Sequence, residues 1–186
     1  DTLYIIVPCY NEQEVLPMTN KRLTVLLDDL VAREKVSGNS RILYVDDGST
    51  DDTWNVVTNA ASTSQRVAAL KLTVNSGHQN ALLAGLEAAL PHAHIMVTID
   101  ADLQDDCGVI ERMIDCYEQG NDVVFGVRRA RKTDSWFKRV TARMFYRLMH
   151  RLDVRSAPNH ADFRLMSGRA VAQLMRYRER NLFLRG

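Results

Sequence analysis

Four aspartates crowd the end of the apolar run in "IMVTIDADLQDDCG", residues 95–108. Carboxylates gathered at the end of a buried strand repel one another, and each resists losing its water. Along extended backbone, residues i and i+2 face the same side. Asp100 and Asp102 therefore converge, with Ala101 pointing away. Two hard carboxylate oxygens on one face suit Mg²⁺ or Mn²⁺, ions that keep several waters and share their remaining positions with substrate phosphates. The structural alternative is that these aspartates cap the next helix, a role that fits Asp105 or Asp106.

Three further polar stretches carry the same potential: "PCYNE" (8–12), "DDGSTDDT" (46–53) and "NSGHQN" (75–80). The chain has neither GxGxxG nor GxxxxGK[ST], which argues against a dinucleotide-dependent dehydrogenase and a P-loop NTPase. An acidic rim cannot hold a diphosphate directly and needs a metal to invert the sign. A nucleotide carrying a diphosphate is then the natural guest.

The elements that position these stretches read from periodicity. Apolar, β-rich runs at 3–8, 41–47, 67–74, 94–100 and 122–128 read as strands. Between them, helical patterns fall in 14–35 (Leu23, Leu26, Leu27, Leu30), 51–62, 77–90 and 108–120, with Pro91 and Gly120 as stops. Strand and helix alternating in this way give an α/β fold, a mostly parallel central sheet flanked by helices on both faces. In such sheets ligands bind outside the carboxyl ends of the strands, where all four polar stretches fall. A turn explains any one of them; four on one rim make a site.

The totals agree with a single domain over residues 1–186, with no linker or repeat. Cys9, Cys107 and Cys116 are odd in number and lack CxxC spacing, so the chain reads as a protein of a reducing compartment, without disulfides or zinc. No signal peptide and no run of 18 apolar residues is present, so the chain as given reads as soluble. The net charge of +1 hides an asymmetry: residues 1–127 hold 8 Lys and Arg against 19 Asp and Glu, and residues 128–186 hold 16 against 4. The halves either face partners of opposite sign or neutralise each other.

Within the basic half, Arg139, Arg143, Arg147, Arg151 and Arg155 recur every four residues, beside Val140, Met144, Leu148 and Leu152. On a helix this is a drifting basic stripe with an apolar flank. It fits an interfacial helix on an anionic membrane surface, or an ordinary helix with a solvated arginine face. No nucleic-acid-binding motif accompanies it, so nucleic acid is not expected as a partner.

Taken together, "VPCYNE" (7–12), "VDDGSTDDT" (45–53), "DADLQD" (100–105), "GVR" (126–128) and "ADFRLMSGRA" (161–170) resemble the inverting glycosyltransferases of family 2. The similarity is greatest to the polyprenyl-phosphate branch of dolichyl-phosphate mannose synthases and bactoprenol glucosyltransferases, with motifs in the family's order over nearly the whole chain. The resemblance implies the GT-A nucleotide-sugar fold. It also implies that Pro8, Tyr10 and Glu12 line the nucleotide pocket, and that Asp47 accepts hydrogen bonds from base or ribose. Asp100 would lie by ribose, sugar and metal, while Asp102 and Gln104 hold the cation. Arg128 would reach the diphosphate or the acceptor phosphate, and Asp162 and Arg164 would lie near the reacting centre. Structural roles compete at several positions: a packed aromatic for Tyr10, a helix cap for Glu12, a turn before Gly48 for Asp46, and a helix start for His78.

The reaction so implied is a single in-line displacement at the anomeric carbon of a UDP- or GDP-linked sugar. A polyprenyl-phosphate acceptor is already anionic and needs little base catalysis, whereas a sugar hydroxyl would call on a base such as Asp162. The other readings are a glycan acceptor in cell-surface polysaccharide synthesis, a sugar nucleotidyltransferase, or a non-catalytic nucleotide-binding module. A nucleotidyltransferase would want a Gly-rich basic loop after the first strand, and "PCYNEQE" is acidic. Since the branch usually continues into transmembrane helices, the resemblance further implies that a C-terminal membrane portion is missing and that the protein works at the cytoplasmic face of a membrane. Base, sugar, preferred metal and homo-oligomerisation stay open.

Overall fold

The computed structural model describes residues 1–127 and 160–176. Arg128, the basic stripe from Arg139 to Arg155, and the C-terminal "NLFLRG" lie outside the described residues. The described part of the chain runs β1 (Leu3–Cys9), α1 (Leu16–Ala32), β2 (Arg41–Asp46), α2 (Thr53–Thr63), β3 (Val67–Lys71), α3 (His78–Ala89), β4 (Ile95–Thr98), α4 (Val109–Glu118), β5 (Val123–Val127), β6 (His160–Ser167) and α5 (Gly168–Leu174).

One six-stranded sheet has the order β3-β2-β1-β4-β6-β5. β1 pairs in parallel with β2 and β4, and β2 with β3, as the strand–helix alternation predicts. β6 is the departure. It enters antiparallel between β4 and β5, pairing Thr98 with Arg164 and Phe125 with Arg164. Among the strand ends, the largest differences are at β3, which stops at Lys71 rather than Val74, and at β4, which stops at Thr98 rather than Asp100.

Both faces of the sheet are covered, because β1 is apolar at every position. Leu3, Ile5, Val7 and Cys9 face one core with Leu23, Leu27 and Leu30 of α1, Val57 of α2, and Ile110 and Met113 of α4. Tyr4 and Ile6 face the other, with Leu82, Leu86 and Ala89 of α3 and Val171 of α5. A continuous apolar strand is what a two-sided parallel sheet requires.

Two glycines set the backbone at the carboxyl rim. Gly48 has φ +69°, and a Cβ there would stand 2.7 Å from the Asn75 backbone nitrogen. Gly85 lets α3 settle onto the sheet: a Cβ would come within 2.5 Å of Ile6 Cγ2 and 2.8 Å of Val45 Cγ2. That close approach brings the first turn of α3 to the rim. Among the described residues, no helix is long and apolar enough to cross a membrane.

Candidate functional site

A cleft of about 590 Å³ opens at the carboxyl ends of β1, β2 and β4. Pro8, Tyr10, Glu12, Asp47, Asp100, Asp102 and Asp162 all line it, with Asn75, Gly77, His78 and Gln79 from the loop into α3. The four polar stretches thus meet on one rim, and β6 adds Asp162. None of the described residues lining the cleft is Lys or Arg.

The loops after β1 and β2 are interlocked. Asn11 N donates to Ser49 Oγ at 3.0 Å, while Asn11 Oδ1 accepts from Thr50 N at 2.9 Å. Glu12 N donates to Thr53 Oγ1 at 2.8 Å, and Gln13 Oε1 accepts from Asp52 N at 2.7 Å. Asn11 takes φ 55° at the turn, a conformation that Asn tolerates better than most residues. The Glu12 carbonyl accepts from Val15 N and Leu16 N at 3.1 Å at the start of α1, but α1 has no side-chain cap, which leaves the Glu12 carboxylate to the cleft. Burial, then the charges of Asp102, Asp51 and Asp100, push the Glu12 carboxyl above its ordinary value. Tyr10 is 43% exposed at the mouth of the cleft, not a packed core aromatic.

The two aspartates that end β2 divide the work. Asp46 is fully buried; its Oδ1 accepts from Ser49 N at 3.1 Å, and Lys71 Nζ stands 3.6 Å from its Oδ2. It holds the turn at Gly48, the structural role open to it from sequence. Asp47, also buried, accepts from Ser76 N at 2.7 Å and Gly77 N at 2.9 Å. Both its oxygens therefore anchor the loop into α3 while the residue forms part of the cleft wall.

The "DADLQD" stretch (100–105) is bent rather than extended. Leu103 N donates to the Asp100 carbonyl at 3.2 Å, and Leu103 has φ 47°. Asp100 and Asp102 therefore do not share one face of an extended strand, as their i, i+2 spacing predicts; a turn brings both to the cleft. Ala101 is buried and its carbonyl accepts from Thr19 Oγ1 at 2.5 Å, yet it too lines the cleft, so it does not simply point away from the two aspartates. Asp102 accepts from Gln104 N at 3.1 Å and from Gln104 Nε2 at 2.7 Å, so Gln104 braces Asp102 and is not among the cleft-lining residues. The helix-cap reading of Asp105 and Asp106 needs correction. α4 has no side-chain cap, and Asp106 Oδ1 instead accepts from Gly108 N at 3.0 Å, closing the turn before the helix. Asp105 is buried.

At the floor of the cleft, Asp162 is held from several sides. Arg164 Nη2 lies 3.2 Å from its Oδ1, and His78 Nε2 lies 3.1 Å from its Oδ2. Gln79 Nε2 is 3.5 Å from both oxygens, and Thr98 Oγ1 donates to its carbonyl. Arg164 is itself buried, stacks 6.0 Å over the Phe125 ring and is not among the cleft-lining residues. It acts on the cleft through Asp162. His78 begins α3, in line with the helix-start role that its position predicts. Its contact with Asp162, 84 positions away, had no signal in the sequence. Cys9 also touches the cleft, but burial first and then neighbouring acids push its thiol up to about 12, so it is no nucleophile.

Asp100 fits a cation. Burial raises its pKa above the ordinary value; His78 opposes this, and Asp162, Asp102 and Asp105 add to it. Its Oδ1 is buried and accepts no hydrogen bond. The partly exposed Asp100 carboxylate, beside further carboxylates and with no Lys or Arg among the described lining residues, belongs to a hard oxygen donor set that suits Mg²⁺ or Mn²⁺. His78, Asp100 and Asp162 also offer ligand atoms within 4.8 Å of one another. Asp162, however, is already committed to Arg164 and His78.

A model of glycosyl transferase family 2 matches residues 4–175. The chain is 50% identical over 184 residues to YkoT of Bacillus subtilis, an uncharacterised glycosyltransferase, covering 99% of this chain and 55% of that protein. It is 36% identical over 183 residues to a prophage bactoprenol glucosyl transferase homologue of Escherichia coli, covering 98% of this chain and 57% of the relative. The chain spans about half the length of the curated relatives it matches. Among solved structures, glucosyl-3-phosphoglycerate synthase of Mycobacterium tuberculosis, in complex with Mn²⁺, UDP-glucose and phosphoglyceric acid, superposes with a TM-score of 0.62 at 18% identity over 90% of this chain and 57% of that one. A mannosyltransferase of Pyrobaculum calidifontis, in complex with GDP-mannose and Mn²⁺, gives 0.58 at 23% identity over 92% and 46%. The shared architecture is the GT-A fold.

Proposed function

The chain belongs to glycosyl transferase family 2, and on that premise we propose that its cleft transfers a sugar, with inversion, from a nucleoside diphosphate to a polyprenyl phosphate. The observation that carries the proposal is the acidic rim itself: Glu12, Asp47, Asp100, Asp102 and Asp162 line one cleft that contains no Lys or Arg among the described residues. Such a cleft accepts a diphosphate only together with a cation. A divalent ion held by Asp100 and Asp102 would neutralise charge on the departing nucleoside diphosphate.

The remaining roles belong to the side chains. Pro8, Tyr10 and Asp47 form the wall that meets the nucleoside, with the exposed Tyr10 ring available to a base. Gln104 keeps the Asp102 carboxylate in place. Asp162, only 1% exposed and held by Arg164 and His78, is poorly suited to abstract a proton. A general base needs an oxygen within hydrogen-bond reach of its substrate. That favours an acceptor that arrives as an anion, which a phosphate does and a sugar hydroxyl does not. The bactoprenol glucosyl transferase relatives support a lipid phosphate. So do the ten Lys and Arg of residues 128–155, whose charge suits the anionic cytoplasmic leaflet.

The test is release of nucleoside diphosphate from UDP- and GDP-sugars with Mg²⁺ or Mn²⁺, with and without a short polyprenyl phosphate. Release that depends on the prenyl phosphate is expected, and Asp102→Ala should lower it at least about a hundredfold, near 2.7 kcal/mol of transition-state stabilisation. Turnover on a glycan alone would replace the acceptor. Equal activity of Asp102→Ala would refute the cation role.

A further inference from the structure

His78 sits at the first position of α3, and its ring reaches two carboxylates. Nε2 lies 3.1 Å from Asp162 Oδ2 and 3.6 Å from Asp100 Oδ1. Both neighbours are acceptors, so Nε2 carries the ring proton. The two carboxylates differ in how firmly they are held. Asp162 is gripped by Arg164, with its carbonyl bonded by Thr98. Asp100 follows the end of β4, just before the turn that closes at Leu103. Its side chain is 34% exposed, yet its Oδ1 is buried without a hydrogen bond. The exposure therefore falls on the other atoms of that side chain.

We propose that His78 is a positioning residue for glycosyl transfer: braced against the fixed Asp162, its Nε2–H keeps Asp100 Oδ1 turned inward and leaves Oδ2 facing the donor. The inference rests on the reading of Asp100 as part of the donor site. Without the imidazole, two carboxylate oxygens within 4.8 Å of each other would face one another with no donor between them. Asp100, the less constrained of the pair, would swing away. The burial that raises the Asp100 pKa and the opposing effect of His78 agree with this geometry. Sequence separation hides it, since His78 and Asp162 stand on an α3 and a β6 that only the strand order brings together.

The experiment compares His78→Gln and His78→Leu in the full chain. A glutamine amide reaches about as far as Nε2 and can donate in its place, whereas leucine fills the space and donates nothing. Leucine should lower kcat about 10- to 100-fold with donor KM changed less than about threefold. Glutamine should restore kcat to within about fivefold of wild type. Mn²⁺ affinity measured without donor should fall in His78→Leu, where Asp100 turns away from the ion, and stay within about twofold of wild type in His78→Gln. In a crystal structure of His78→Leu, the Asp100 carboxylate should be rotated. Wild-type kcat in His78→Leu, or an unmoved Asp100 carboxylate there, overturns the proposal. An equal loss of Mn²⁺ affinity in both variants also overturns it, making His78 an ion ligand instead. Matched urea midpoints for the variants exclude misfolding; if leucine unfolds the protein, the Gln variant's kcat and KM decide alone. Failure of the underlying reading looks different: wild type itself would release no nucleoside diphosphate.

Discussion

Replacing Arg164 by Met should be among the costliest single changes in the described fold. Arg164 and Asp162 lie on one face of β6, with Nη2 and Oδ1 3.2 Å apart and side-chain exposures of 7% and 1%. Methionine preserves much of the stem that packs near Phe125 but withdraws the guanidinium, leaving a buried carboxylate short of its cation. Removing one member of a buried pair costs about 3–5 kcal/mol, because the other charge stays desolvated. Coulomb's law at this separation, with an effective dielectric constant of 20, gives about 5 kcal/mol for the lost attraction. His78 and Gln79 remain beside Asp162, so the lower end, about 3 kcal/mol, is expected. For a chain of this size that lowers Tm by roughly 6–12 °C. Urea unfolding of wild type, Arg164→Met, Asp162→Asn and the double variant closes the cycle. The neutral asparagine no longer needs the guanidinium, so a coupling of at least about 2 kcal/mol should appear. An Arg164→Met variant within about 0.5 kcal/mol of wild type would refute the buried pair, and with it the argument that Asp162 is too committed to serve as a base.

Two further perturbations probe the rim. Glu12 and Asp100 both have pKa values raised above the ordinary carboxylate range, with Asp102 among the causes in each case. A raised folded-state pKa means that the folded chain binds the proton more tightly than the unfolded one, so stability is gained as pH falls through the raised values and lost as pH rises through them. Asp102→Asn should therefore stabilise the metal-free protein at neutral pH, with the gain shrinking as pH falls toward the ordinary carboxylate range; a pH-independent difference in urea midpoint would contradict this. Gly48→Ala places a Cβ 2.7 Å from the Asn75 nitrogen at φ +69°. It should cost at least about 1–2 kcal/mol from the backbone conformation alone; an unchanged midpoint would show that the turn relaxes freely.

The sequence by itself determined the parts whose signals are local. Each of the first five strands is a short apolar or β-rich run, and the helices between them show their spacing or composition within a dozen residues. The alternation then dictates a parallel sheet, and the sheet dictates that "PCYNE", "DDGSTDDT", "NSGHQN" and "DADLQDD" share one rim. That is why the stretches that hold Pro8, Tyr10, Glu12, Asp47, Asp100 and Asp102 share one cleft, while the roles of the individual residues follow only from the family resemblance of those motifs. Strand β6 escaped, because "HADFRLMS" puts Asp162 and Arg164 at buried positions, and two charges do not read as a core strand until they are seen to neutralise each other. The bend at Leu103 escaped as well, since a positive φ at a leucine goes against its local preference and is imposed by its surroundings. What only the tertiary structure decided is the floor of the cleft. His78 and Asp162 meet across 84 residues because β6 inserts between β4 and β5, and strand order is fixed by the packing of the whole sheet rather than by any stretch of sequence.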